Sequence, residues 1–169
     1  DGQGSSLPAT TDTLASISAA RGRALIVKSA GNAGGYFKTF TAGTASKNVI
    51  RSKYRNFIWV GALDKKERRI ANWSDKPGKG CLKGTRERKC TSKNRYMYYF
   101  LVAPGYVEST RPGGGSDKTA GTSFSAPIVS GTAALIAARW PKLKPYQIRD
   151  ILLKTATDMG KKGVDNVYG

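Results

Sequence analysis

Gly121-Thr122-Ser123-Phe124-Ser125-Ala126-Pro127 runs directly into Ile128-Val129-Ser130-Gly131-Thr132-Ala133-Ala134-Leu135-Ile136-Ala137-Ala138. A serine therefore stands where a glycine-containing turn becomes a long apolar helix, predicted from about Thr122 to Arg139. Ser123 falls in the first turn, where backbone N–H groups lack intrahelical partners and the helix dipole adds partial positive charge. Such a position suits a nucleophile whose attack creates an oxyanion, because donors already point at it. The helix is apolar on nearly every face, which predicts burial rather than half-exposure. A buried helix would be a rigid mount for a reacting group. Serine and threonine are also ordinary helix caps, favoured for their hydrogen bonds alone. Pro127 lies inside the predicted helix, where proline normally costs ~3 kcal/mol, and so marks a special local geometry.

The segments around this helix are short and alternate in type. Residues 106–120 carry Arg111-Pro112-Gly113-Gly114-Gly115, a turn-rich connection able to form a hairpin. Before it, Tyr98–Ala103 reads as a strand stopped by Pro104-Gly105, and Asn56–Leu63 as another. Ala24-Leu25-Ile26-Val27-Lys28-Ser29-Ala30 is a short, largely apolar run ending at Gly31, the pattern of a buried parallel strand. Thr11–Ala20 reads as a short helix that Gly22 can end. Pro145 is well placed to open a last helix, with Ile148, Ile151 and Leu152 on one face. Residues 1–10, 34–55 and 160–169 read as irregular. Short apolar strands alternating with helices predict an α/β fold with a doubly wound, mostly parallel sheet. In such sheets the site lies beyond the carboxyl ends of the strands. Asn32 follows the first strand by two residues and Ser123 begins a helix, so both can meet at that edge.

The totals narrow the function. A chain of 169 residues allows one domain with its own core. No apolar run is long enough to span a bilayer. The opening Asp1-Gly2-Gln3-Gly4 has no basic-apolar leader pattern, so a targeting segment of an exported protein would lie outside these residues. Histidine is absent altogether, and the net charge is +18. Between Lys65 and Arg95 twelve Lys/Arg face three carboxylates, half of the net excess. That run reads first as a solvated surface loop, and second as a patch for an anionic surface or polymer. It lacks the interleaved aromatics of a base-stacking platform, which argues against nucleic acid. Cys81 and Cys90, the only cysteines, lie inside it. A disulfide would restrict a loop with little core of its own and would imply an oxidising compartment. Two thiols without histidine do not make a zinc site.

Four blocks in order carry a resemblance. Gly121-Thr122-Ser123-Phe124-Ser125-Ala126-Pro127, with the small-residue stretch and Gly131 behind it, resembles the nucleophile motif of the subtilisin-like serine proteases, the subtilases. Ser29-Ala30-Gly31-Asn32 resembles that family's oxyanion segment. Val60-Gly61-Ala62 with Ala71-Asn72-Trp73-Ser74 is similar to its Val-Gly-Ala … Ala-x-Phe/Trp-Ser pair, and Val102-Ala103-Pro104-Gly105 to its Ala-Pro-Gly turn. The order and spacing agree across roughly residues 24–157. The residue after the motif proline is often His in the family; here it is Ile128. The Cys81–Cys90 insertion and the ending Lys162-Gly163-Val164-Asp165-Asn166-Val167-Tyr168-Gly169 look most like secreted Gram-negative members, autotransporter subtilases among them.

The resemblance implies a serine endopeptidase acting on polypeptide substrates. Ser123 would be the nucleophile. The Asn32 amide and the Ser123 backbone N–H would form the oxyanion hole. Ser29, Ala30 and Gly31 would wall the pocket for the residue before the scissile bond. It implies secretion to the periplasm, the cell surface or the medium. Calcium, common in the family's loops, is the one cofactor it suggests, and no metal ligands are assigned here. The family's triad runs Asp, His, Ser along the chain. With no histidine and no Asp motif, residues 1–169 read as the C-terminal portion of a catalytic domain, inert until its N-terminal half is supplied. An unassisted serine hydroxyl is a poor nucleophile at neutral pH. The competing expectation is a non-catalytic binding protein on the same scaffold, using the basic loop 65–95 for anionic ligands. A half-sheet would also expose apolar surface where its partner half belongs.

Overall fold

The structure is a computed structural model, and it describes residues 11–41, 55–83 and 89–169. Its centre is a three-stranded parallel sheet: β1 (Ile26–Ser29), β3 (Phe57–Leu63) and β5 (Phe100–Pro104), in that spatial order. The register pairs Ile26 with Phe57 and Ser29 with Val60, then Trp59 with Phe100 and Leu63 with Pro104. Each step moves to the adjacent strand, so all three carboxyl ends lie along one edge. β3 is buried at every position, as its unbroken Phe-Ile-Trp-Val-Gly-Ala-Leu requires. β1 is half-buried at every position because it is an edge strand of this sheet.

Side chains alternate across β3, and each face has its own core. On one face, Phe57, Trp59 and Phe100 pack with Leu14 and Ile17 of α1 (Thr11–Ala19), and with Phe37, Leu82, Tyr96 and Tyr99. The aromatic rings there meet edge to face, with centroids 4.7 Å apart for Phe57–Trp59 and 5.2 Å for Trp59–Tyr96. On the other face, Ile58, Val60, Leu101 and Ala103 pack with Ala126, Val129 and Ala133 of α2 (Thr122–Arg139), and with Ile148 and Leu152 of α3 (Pro145–Thr155). Helices thus cover both faces, which is the doubly wound arrangement.

Two small pairings complete the described residues. β2 (Phe40–Thr41) runs parallel to β4 (Leu82–Lys83). β6 (Tyr106–Thr110) and β7 (Ser116–Ala120) form the antiparallel hairpin expected around Arg111-Pro112-Gly113-Gly114-Gly115.

Three expectations need correction. The strand predicted at Tyr98–Ala103 starts at Phe100, because residues 96–99 form a 3₁₀ turn that buries Tyr96 and Tyr99. α2 has the predicted bounds but not the predicted burial. Leu135 is 73% exposed and Ile128 39%, since the elements present cover only one of its faces. The basic stretch is not wholly a solvated loop: Cys81 and Leu82 are buried, and the Phe40 N–H and Leu82 N–H bond to the carbonyls of Cys81 and Asn94. The Cys81–Cys90 disulfide is present; residues 84–88, in the middle of that loop, lie outside the described residues.

Candidate active site

Ser123 is exposed in the first turn of α2, and the chain before it explains its placement. Gly121 donates its N–H to the Gly105 carbonyl at 2.9 Å, and the buried Ser125 hydroxyl donates to the Pro104 carbonyl at 3.0 Å. The carbonyls of Pro104, which ends β5, and of Gly105 therefore pin the start of α2 against the sheet. Gly105 must be glycine for this, since a Cβ there would stand 2.4 Å from that of Ala62. Pro127 has no N–H to give the Ser123 carbonyl four residues earlier, so the first turn lacks one helical bond.

Asn32 reaches the same place from the end of β1. Its Oδ1 accepts the Thr122 backbone N–H at 3.0 Å and the Thr122 hydroxyl at 2.9 Å. The Thr122 hydroxyl oxygen in turn accepts the Gly31 N–H at 3.1 Å. A backbone N–H can only donate, so its partner must be the amide oxygen and not the amide nitrogen. Nδ2 is thereby the donor end of the amide, and a Cβ at Gly121 would stand 3.5 Å from it. Asn32 itself is exposed, whereas Thr122 is buried. Thr122 was legible only as part of a motif; its bonds to a residue 90 positions away leave no local trace in the sequence.

The segment carrying Asn32 is held from below by Asp75, which sequence reasoning missed. Asp75 is buried; its N–H donates to the Gly31 carbonyl at 2.9 Å and its carboxylate accepts the Gly35 N–H at 2.8 Å. Burial pushes this carboxyl above its ordinary pKa, against the opposing pull of the Gly35 and Ala33 N–H groups and the Lys76 charge. Gly31 has φ +116°, and a Cβ there would fall 2.4 Å from the Asp75 carboxylate. Ser74 completes the support: its hydroxyl accepts the Ala62 N–H at 3.0 Å and donates to the Asp75 carbonyl at 3.1 Å. The Val-Gly-Ala and Ala-Asn-Trp-Ser blocks are thus two halves of one hydrogen-bonded junction.

Ser29, Ala30 and Gly31 lead into this junction along the end of β1, where the Ala30 N–H bonds to the Val60 carbonyl. Among the described residues, no three Asp, Glu, Cys or His come together in a way that could hold a metal ion. What the arrangement offers chemically is an exposed serine hydroxyl at a helix start, with the Asn32 amide held by the residue before it.

The chain is a member of the Subtilase family, whose description matches residues 1–169. It is 40% identical to serotype-specific antigen 1 of Mannheimia haemolytica over 148 residues, covering 77% of this chain and 14% of that protein. It is 33% identical to subtilisin BL of Lederbergia lenta over 167 residues, covering 98% of this chain and 50% of that protein. A shorter match, 54% over 50 residues, joins it to the autotransporter lipoprotein NalP of Neisseria meningitidis, covering 30% of this chain and 5% of that protein. Among solved structures, the self-cleaved protease domain of PatA superposes with a TM-score of 0.60 at 25% identity, covering 91% of this chain and 50% of that one. The chain thus spans half, or much less, of the length of these relatives.

Proposed function

We propose that this chain is the nucleophile-bearing, C-terminal part of the catalytic domain of a secreted serine endopeptidase. Ser123 Oγ attacks the scissile carbonyl and forms an acyl-enzyme. Asn32 Nδ2 and the Ser123 backbone N–H stabilise the oxyanion, and Ser29, Ala30 and Gly31 wall the pocket for the residue before the scissile bond. The observation that carries this reading is the pair of hydrogen bonds that the Thr122 N–H and hydroxyl donate to Asn32 Oδ1, which would leave Nδ2 free to donate before substrate arrives. Preorganised donors of this kind supply much of the rate in acyl transfer.

The general base is missing from these residues, since the chain has no histidine. The reading therefore requires an Asp and a His from elsewhere in the protein, and residues 1–169 alone are expected to be inert. The exposed apolar face of α2, with Leu135 and Ile128, supports a further layer packing there. Export is supported by the disulfide and by the likeness to an autotransporter lipoprotein.

The test uses the complete protein. A fluorophosphonate should label it, and Ser123→Ala should abolish the labelling. Asn32→Ala should lower kcat with KM little changed, because its hydrogen bond strengthens only in the transition state; a rise in KM alone would make Asn32 a substrate contact instead. Hydrolysis of casein by the isolated chain, blocked by a serine reagent, would refute the need for a second part. An upstream coding sequence without Asp and His would turn the reading toward a binding protein on a peptidase scaffold.

A further inference from the structure

Two open depressions flank Tyr106, with volumes of about 500 and 490 Å³. Lys65 and Tyr106 line both, so the two depressions adjoin and are called the cleft below. One side is the β6–β7 hairpin, through Glu108, Lys118 and Ala120; the other is the turn after β3, through Asp64, Lys66 and Arg69. Ala120 ends β7 and lies three residues before Ser123, so the cleft opens beside the start of α2.

Four cations and two carboxylates line this cleft, and Glu108 stands opposite Lys118 across the hairpin. Asp64 accepts the Arg68 N–H at 3.1 Å and pairs with Arg69 at 3.3 Å. Glu108 accepts the Ser116 hydroxyl. Among the described residues, Lys65, Lys66 and Lys118 have no ion-pair partner. The floor is built rather than loose. The Tyr106 ring meets that of Trp73 edge-on, centroids 5.8 Å apart, and its oxygen accepts the Trp73 indole N–H at 3.1 Å. A phenol that accepts there still has its own proton to donate. Trp73 is itself fixed to the Asn32 segment, since its carbonyl accepts the Gly34 N–H at 2.7 Å.

We propose that the cleft around Tyr106, Lys65, Lys66 and Lys118 binds an acidic segment of the polypeptide substrate, so that the peptidase prefers Glu or Asp at a position near the scissile bond. The proposal rests on the peptidase reading above. A carboxylate entering the cleft meets unpaired ammonium groups at the rim and a fixed phenol donor at the floor. A nucleic acid would need a longer basic track and several free aromatic faces; here one ring is already held edge-on by its neighbour.

Single exposed ion pairs are worth little, so the preference should be modest: about 3–10-fold from two or three ammonium groups together. It should also fade with salt, because the Debye length shrinks from about 10 Å at 0.1 M to about 3 Å at 1 M. The direct test measures binding without turnover. The intact protein carrying Ser123→Ala is titrated against fluorescein-labelled peptides that differ only by Glu or Gln at successive positions on either side of one cleavage sequence. The Glu peptide should bind about 3–10-fold more tightly at one or more positions in 0.05 M salt, and equally in 1 M salt. Lys65→Glu/Lys118→Glu should reverse the preference. The ratio is taken within one preparation, so a general loss of affinity cancels.

Equal binding of Glu and Gln peptides at every position would overturn the proposal. So would a preference that the charge reversal leaves intact, or tight binding of an oligonucleotide that acidic peptides fail to displace. The kcat/KM ratio for the same peptides on the active protein separates the two readings. Fluorophosphonate labelling with no Glu preference sinks the cleft alone, whereas a Glu preference in binding with no labelling sinks the peptidase reading alone.

Discussion

Replacing Thr122 by Val is the substitution that isolates how Asn32 is oriented. The two side chains share a shape, and the change removes one hydroxyl. It deletes the 2.9 Å bond from Thr122 Oγ1 to Asn32 Oδ1 and the 3.1 Å bond from the Gly31 N–H to Thr122 Oγ1. The 3.0 Å bond from the Thr122 N–H remains. Each lost bond is worth about 1 kcal/mol net, and a stranded Gly31 N–H adds roughly 1–3 kcal/mol. Part of that total weakens the fold. The part that loosens Asn32 is about one hydrogen bond, or roughly 1–2 kcal/mol, which corresponds to a 5- to 30-fold loss in kcat. The ceiling is complete loss of the donor, which in subtilisin costs about 10²–10³ in kcat, a value belonging to that enzyme. On the complete protein, steady-state kinetics should show Thr122→Val lowering kcat with KM nearly unchanged, while Thr122→Ser stays close to the parent. The double variant Thr122→Val/Asn32→Ala should have a kcat no lower than that of Asn32→Ala, because Thr122 reaches the oxyanion only through Asn32 while its bond to Gly31 bears on the pocket wall. Additive losses in that cycle, or a Thr122→Ser variant as slow as Thr122→Val, would refute the reasoning.

Two further outcomes follow from the supports of the site. Burial raises the Asp75 pKa in the folded state, so its contribution to stability is complete below about pH 4, near the unfolded value. It is lost as pH rises through the higher folded value. Denaturant midpoints of the parent and of Asp75→Asn, compared between pH 4 and 7, should move in favour of the Asn variant as pH rises; a shift the other way would mean that the N–H groups of Gly35 and Ala33 dominate. Reducing the Cys81–Cys90 disulfide frees a short loop, and the chain-entropy model gives about 2–3 kcal/mol for one of this length. Denaturant midpoints of the oxidised and reduced intact protein should differ accordingly, and coincident midpoints would show that the loop is held by Cys81, Leu82 and their backbone bonds without it.

The sequence carried the architecture where local pattern and tertiary role agree. The α2 bounds, the β6–β7 hairpin and the buried β3 were all legible, because Gly121, the glycine run at 113–115 and an unbroken apolar heptad each have one structural solution. The errors arose where they disagree. Tyr98 and Tyr99 look like strand residues, yet Tyr99 donates its hydroxyl to the Lys93 carbonyl at 2.9 Å and folds the segment into a turn. Asp75 sits among Lys76, Lys79 and Lys83 and reads as one more surface charge. Only the three-dimensional approach of Gly31, Ala33 and Gly35 makes it a buried support.

The same disagreement explains α2. Its sequence is apolar nearly all round, which is the code for a helix enclosed on every side. The described elements bury Ala126, Val129 and Ala133 against the sheet and leave Leu135 and Ile128 outward. β1 shows the matching feature, an edge strand half-buried along its length although its Leu25-Ile26-Val27 is written like an interior strand. An apolar helix face and an interior-type strand at the sheet edge both leave apolar surface uncovered among the described residues. The proposed acyl-transfer chemistry would need a general base that a chain without histidine does not supply. On the proposed peptidase reading, a unit packing beside β1 and on the open face of α2 would cover that surface and bring an imidazole to Ser123.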